Sequence, residues 1–192
     1  MYLLVTFLLT LNFQIDQKMG KVEPLAFGGE EFQGLQHSPV SKEGDFVPID
    51  QIINLQSSYV DQFVNCLAVI KTAPNKRTIS TKAGRTVTFC EFELVDNSNK
   101  FIGLVMWLES LAELTYSLMP KQTILFLTNV KVKRNSYCET VGLEATTKTI
   151  VTVNPDVKSA HILYAFAQKL PDSILQPSIQ RVSTLPILAW AL

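Results

Sequence analysis

The spacing of apolar and polar positions changes several times along the chain, and each change marks a candidate element. Residues 63–71 are apolar and β-prone, as a buried strand requires. Residues 72–85 are polar and basic, with turn signals at Pro74-Asn75 and Ala83-Gly84, and read as a loop. Residues 86–95 then alternate, with Cys90, Phe92 and Leu94 on one face and Phe89, Glu91 and Glu93 on the other. A tight turn, Asp96-Asn97-Ser98-Asn99, leads into a strand over residues 100–107 that ends on Trp107. Leu108, Leu111, Leu114 and Leu118 fall at helical spacing, and Pro120 marks the end of that helix. Residues 123–133 and 139–147 read as strands joined by a turn at Arg134-Asn135-Ser136, and residues 149–153 are extended. Asn154-Pro155-Asp156 predicts a helix start, with Asn as cap, Pro in the first position and Asp against the positive end of the dipole. That helix should run to about Lys169.

The flanks differ from this centre. Residues 2–13 form an apolar run too short for a membrane-spanning helix, which needs ~20 residues. No Lys or Arg precedes the run and no small-residue cleavage site follows it. It therefore reads as a strand end left from an upstream domain, or as a mis-assigned first exon, rather than as a signal peptide. Residues 20–45 are rich in Gly, Glu, Ser and Pro, like a linker, and residues 49–55 suggest one helical turn. Residues 170–192 carry an apolar tail with three prolines and no clear period. The expected division is an N-terminal segment and linker over 1–45, one domain over 46–169 and a tail over 170–192.

The order strand, strand, strand, helix, strand, strand is that of the OB-fold. This mainly β fold is a five-stranded Greek-key barrel with a helix between strands three and four, followed here by a C-terminal helix. Such barrels bind oligonucleotides across strands two and three, between the loops joining strands one to two and four to five. Charge gives those loops meaning. The formal net charge is zero, yet residues 71–90 hold Lys71, Lys76, Arg77, Lys82 and Arg85 without an acid, and residues 121–138 hold Lys121, Lys131, Lys133 and Arg134 without an acid. The two acid-free segments coincide with the two loops, so one positive face is expected.

On that reading the strand over 100–107 is the floor of a single-stranded nucleic-acid groove. Its period leaves two arrangements open. If Ile102, Leu104 and Met106 are buried, Trp107 faces out; if Phe101, Val105 and Trp107 are buried, it faces in. Gly103 shares a strand face with Val105 and Trp107 and would let a nucleic-acid backbone approach. Lys76, Arg77, Lys82 and Arg85 on one side, and Lys131, Lys133 and Arg134 on the other, would meet phosphates. Phe89 either adds stacking area or packs beneath a flanking segment. Cys66, Cys90 and Cys138 are widely spaced and read as reduced structural thiols, and His37 and His161 lie far apart. No metal or cofactor is expected.

Glu93-Leu94-Val95-Asp96 with its Ser turn, the strand ending in Trp107, and residues 149–156 with Ala160 after them resemble the DNA-binding OB domains of the replication protein A large subunit. A closer resemblance is to the family of meiosis-specific proteins with OB domains. It is carried by Trp107-Leu108-Glu109-Ser110, Met119-Pro120 with Thr123 and Phe126, Val130, Thr147-Lys148-Thr149-Ile150, and His37 with Pro39-Val40. It spans about residues 37–168 and matches that family's central OB domain. The family's other OB domains, including the one that recruits its partner, have no counterpart, so the chain reads as a fragment, an unusual isoform or an incomplete gene model.

The resemblance implies two base-stacking aromatics, Trp107 and Tyr137, and places Trp107 in the groove. It also implies single-stranded DNA as ligand, action in meiotic homologous recombination and double-strand break repair, and a nuclear, chromosomal location. Other single-strand-binding and meiotic recombination proteins would be the partners, with neither a membrane nor a small-molecule substrate involved. The family has been credited with a single-strand 3′-to-5′ exonuclease. Asp96, Glu109, Glu113 and Asp156 are scattered here, Glu91 and Glu93 read as solvated, and no catalytic site is expected. The alternatives are an OB module for protein contact and a general single-stranded RNA-binding domain.

Overall fold

Alternating hydrophobicity puts the centre of the chain into strands. A computed structural model describes residues 44–175, apart from 81–83, 85, 108–114 and 135–139. It has short helices α1 (Ile49–Asn54) and α2 (Gln56–Tyr59), then strands β1 (Phe63–Ile70), β2 (Asn75–Ser80), β3 (Thr86–Val95), β4 (Phe101–Met106), β5 (Ile124–Arg134), β6 (Val141–Ala145) and β7 (Ile150–Val153), and helix α3 (Lys158–Lys169). Antiparallel pairs join β1 to β3, β3 to β4, β5 to β6 and β5 back to β1, while β4 and β6 run parallel. The ladder therefore returns to its first strand, in the order of the OB-fold.

One face of every strand in this ring looks inward. Cys66, Ala68 and Ile70 of β1, Cys90, Phe92 and Leu94 of β3, and Ile102, Leu104 and Met106 of β4 meet Leu125, Leu127, Val130 and Val132 of β5 and Leu143 of β6 in one core. Ile49 and Ile52 of α1 join the same core and are fully buried. Burial pushes the Cys66 thiol up to about 12, with the Asp96 carboxylate adding to the effect. The outward residues Leu67 and Val69 of β1, and Ile124 and Phe126 of β5, pack instead against Ala160, Leu163 and Ala167 of α3. Helix α3 thus packs on the outer face of β1 and β5 and on Val95 at the end of β3, and among the described residues no helix packs on the outer face of β4 and β6.

Three expectations change. The basic stretch 72–85 is not simply a loop, because β2 lies within it and pairs with β3 from Asn75↔Glu91 to Ser80↔Thr86. The cause is that Asn75, Lys76 and Arg77 find ladder partners along the long third strand. The C-terminal helix starts at Lys158, capped at Val157, rather than at Asn154. Asn154 has φ 47° and its side-chain oxygen accepts the Ile124 N–H at 2.9 Å, so it serves β5 instead of a helix. The extended stretch 149–153 is a paired strand, β7, on the edge of β5. The helix expected over 108–118 falls mostly outside the described residues; Thr115–Ser117 is a 3-10 turn.

Two side chains fix local geometry that the site depends on. Asn129 takes φ 56° and its N–H bonds to the Asn65 side chain at 3.0 Å. The ladder between β1 and β5 shifts register near this point. The shift turns Val130 and Val132 inward after Leu125 and Leu127, and so turns Lys131 and Lys133 outward. Asp96, buried in the β3–β4 turn, accepts the Ile49 N–H at 2.7 Å and the Ser98 N–H at 3.0 Å. It thereby ties the turn that launches β4 to the start of α1. Hydrogen bonds to a charged group contribute ~1.5–3 kcal/mol each. Asp96→Ala should lower the unfolding free energy by roughly 2–3 kcal/mol on that basis, read as a fall in urea midpoint at constant m-value. A midpoint unchanged from the parent would show that the carboxylate does not hold these elements together.

Candidate nucleic-acid interface

Strand β4 decides what the uncovered face presents. Ile102, Leu104 and Met106 are in the core, so the period of the strand directs Phe101, Gly103 and Val105 outward, and Trp107, which follows its last residue, meets Phe89 of the same face. Of the two arrangements open from the sequence, the first is the one observed. Trp107 is half-buried. Its ring lies 4.8 Å from that of Phe89 on β3, inclined at 36°. Phe89 is only 3% exposed, so it offers no face of its own to a ligand and instead backs the indole. The indole N–H is buried and has no hydrogen-bond partner among the described residues. Packing on Phe89 is therefore the contact that holds the ring among the described residues.

A side chain at Gly103 would meet nothing within 4 Å, so the glycine opens the floor of this face without being demanded by its own backbone. Rows run across the sheet. Asn75 is in register with Glu91, Glu91 with Val105, Val105 with Glu144, and Glu144 with Lys131. One position along, Arg77 is in register with Phe89. The face therefore carries cations on its outer strands, β2 and β5, carboxylates on β3 and β6, and apolar side chains on β4.

The cations are engaged. Arg77 Nε lies 3.0 Å from Glu91. Lys131 Nζ is 3.1 Å from Asp61, and Lys133 Nζ is 3.9 Å from Asp61 and 3.7 Å from Glu144. The hydrogen bond to Asp61 holds the Lys131 ammonium above the usual lysine range. The segments read as acid-free are so in sequence only, since strand pairing brings acids from β3, β6 and the α2–β1 turn against them. Each carboxylate offsets part of the positive potential that a phosphate would meet.

Not every candidate joins this face. Lys76 is in register with the core residue Cys90 and Arg134 with the core residue Val141, so both belong to the opposite strand face and are exposed at the margin. Lys82, Arg85 and Tyr137 lie outside the described residues. Two contributors were not singled out as site residues from the sequence. Phe101 is exposed on the outer face of β4. Lys71, 3% exposed, directs its ammonium to the Glu93 carboxylate and over the Phe101 ring, 4.5 Å from its centroid. The alternation that places Trp107 also places Phe101, so its signal was present; the Lys71 contact depends on how β1 leaves the ring and had none. Among the described residues no three His, Cys, Asp or Glu side chains gather as a metal site.

A ring of strands in this order, with a helix packed on its outside, defines an OB-fold domain. Residues 52–152 match the family model of the replication protein A OB domain, and the chain belongs to that family. It is similar to a human protein named "Meiosis-specific with OB domain-containing protein", 27% identical over 70% of this chain and 30% of the relative. The rat protein of the same name is 26% identical over 76% of this chain and 31% of the relative. The chain thus spans less than a third of the length of these relatives. Its fold is shared with a replication protein A heterotrimer solved with single-stranded DNA. That likeness has a TM-score of 0.56 and 21% identity, and covers 67% of this chain and 29% of that one.

The two floor carboxylates should differ sharply in what they need. Lys71 is buried against Glu93, and breaking a buried pair by removing one partner costs ~3–5 kcal/mol. Arg77 and Glu91 are 27% and 18% exposed at their side chains, where solvent screening leaves a pair worth at most ~1 kcal/mol. Lys71→Met should therefore lower the urea midpoint far more than Arg77→Met. Equal shifts would mean that the Lys71 pair is not part of the framework.

Proposed function

We propose that this chain binds single-stranded DNA on the outer face of β3, β4 and β6 and acts in meiotic homologous recombination and double-strand break repair. The observation that carries the reading is Trp107, outward on β4, half-buried and backed by Phe89 within a replication protein A OB domain. Every base has a π face, so a braced aromatic holds single strands with little sequence preference, each stacked base contributing ~1–3 kcal/mol. Arg77, Lys131 and Lys133 take the phosphates on either side, with Lys82 and Arg85 assigned to the same groove from the basic loop in the sequence and Tyr137 from the family resemblance. Gly103 keeps the floor low between the walls.

Ion pairing shapes the chemistry of binding. A phosphate reaching Arg77 or Lys133 exchanges for Glu91 or Glu144, and Lys131 exchanges Asp61. The gain is the difference between two charge-assisted contacts, so the walls contribute less affinity than unpaired cations would. The stacking floor contributes the larger share. The resemblance to the meiosis-specific relatives supports a place on resected chromosomal strands in the nucleus, beside other single-strand-binding and recombination proteins. No catalytic step is assigned. A second reading, an OB module whose groove takes a protein segment, is favoured by the same neutralised cations, since a peptide does not require positive walls.

The test is fluorescence anisotropy of the full chain with a labelled poly-dT oligonucleotide at two salt concentrations. The folded protein should bind, weaken as salt rises, and lose roughly tenfold or more in Trp107→Ala, equivalent to ~1.4 kcal/mol. Absence of binding by the folded parent moves the protein-contact reading ahead. Equal binding by the folded variant removes Trp107 as the platform.

A further inference from the structure

We infer that Phe101 is a second base-stacking platform, so that the strand path runs along β4 between two aromatics, one near each end of the strand. This inference rests on the DNA-binding reading above and extends it to a second residue of β4. Phe101 lies on the same outward face as Trp107, six residues earlier. At ~3.3 Å per residue the two rings stand about 20 Å apart. Successive bases in a stacked strand repeat every ~3.4 Å, so the rings serve bases separated by several nucleotides.

An exposed phenylalanine alone would mean little, because single apolar side chains are common on protein surfaces. This one is built in. The residue is 41% exposed, while the ammonium against its ring belongs to a lysine that is 3% exposed. Lys71 is fixed by the Glu93 carboxylate, and its backbone N–H donates to the Glu93 carbonyl at 2.7 Å. A buried cation–π contact therefore holds the ring from the protein side, and the ring's exposed area is left for a ligand. A ring held before binding loses little side-chain freedom when a base stacks on it.

The ground between the two rings is low. A Cβ at Gly103 would find open space, and Val105 is 6% exposed. The flanking carboxylates are drawn aside, Glu93 by Lys71, Glu91 by Arg77 and Glu144 by Lys133. Continuing the β4–β6 register one residue back from Leu104↔Leu143 sets Gly142 beside Gly103. Lys133, in register with Gly142, then stands at the outer end of that row. A strand laid from Phe101 to Trp107 has glycine under it at its midpoint and cations to both sides.

The test compares full-length parent, Phe101→Leu, Phe101→Tyr and Trp107→Ala in anisotropy titrations. The probes are a labelled dT oligonucleotide of about 16 nucleotides, the upper end of single-domain site sizes, and a labelled abasic oligonucleotide of the same length. Phe101→Leu keeps apolar bulk and removes the π face. It should weaken dT binding at least fivefold and abasic binding less than twofold, and Phe101→Tyr should restore dT binding to within twofold of the parent. If Trp107→Ala loses dT binding while Phe101→Leu stays within twofold of the parent, Phe101 is no platform and the groove reading survives without it. Equal weakening on both probes would overturn the inference by showing that the ring only props the framework. If the folded parent binds neither probe, the DNA-binding reading fails, and this inference with it.

Discussion

A strand in a ring whose interior is apolar can send only every second residue outward, and that constraint organises this domain. Once Ile102, Leu104 and Met106 fill the interior, Phe101, Gly103 and Val105 have no choice but the outer face, and Trp107 meets Phe89 there. The rest of the fold decides what becomes of that face. Helix α3 is spent on β1 and β5, where Leu67, Val69, Ile124 and Phe126 give it a surface to pack on. Helix α1 brings Ile49 and Ile52 into the core and is tied to the β3–β4 turn by Asp96. Among the described residues no helix packs on the outer face of β4 and β6, where Phe101 is exposed and Trp107 half-buried.

Charge on that sheet is arranged by pairing rather than by composition. Glu91 and Glu144 flank Val105 in register, and each is met by a cation on the next strand out. A face built this way keeps its cations ordered without leaving strong positive potential on display. On the proposed function, such a surface would gain little from purely electrostatic attraction to a polyanion and would rely more on stacking. The bulge at Asn129 is part of the same design. Without the extra residue the inward positions after Leu127 would be Asn129, Lys131 and Lys133, and two ammonium groups would face a hydrocarbon core.

Much of this was legible in the sequence. Strand β3 has the expected bounds, the OB order was readable from element order, and the alternation of Cys90, Phe92 and Leu94 against Phe89, Glu91 and Glu93 is as read. The failures share a cause. Strand β2 hid in a polar basic stretch because its stability comes from pairing with β3, not from its own pattern. Asn154 looked like a helix cap because its chemistry is local, whereas its partner, Ile124, lies 30 residues away. The walls looked uniformly basic because Asp61, Glu91 and Glu144 are distant in sequence and adjacent in space. Residues Lys76 and Arg77 looked equivalent, and only their ladder partners, Cys90 and Phe89, separate them.

The proposed path of a single strand along the outer face of β4 can be checked by photocrosslinking the full chain to a bromouracil-substituted oligonucleotide, followed by peptide mapping. Crosslinks confined to the peptides carrying Phe101 and Trp107, and lost on competition with unlabelled single strand, are the predicted result. Crosslinks concentrated instead on α3 or on the α2–β1 turn, with none on β4, would contradict it.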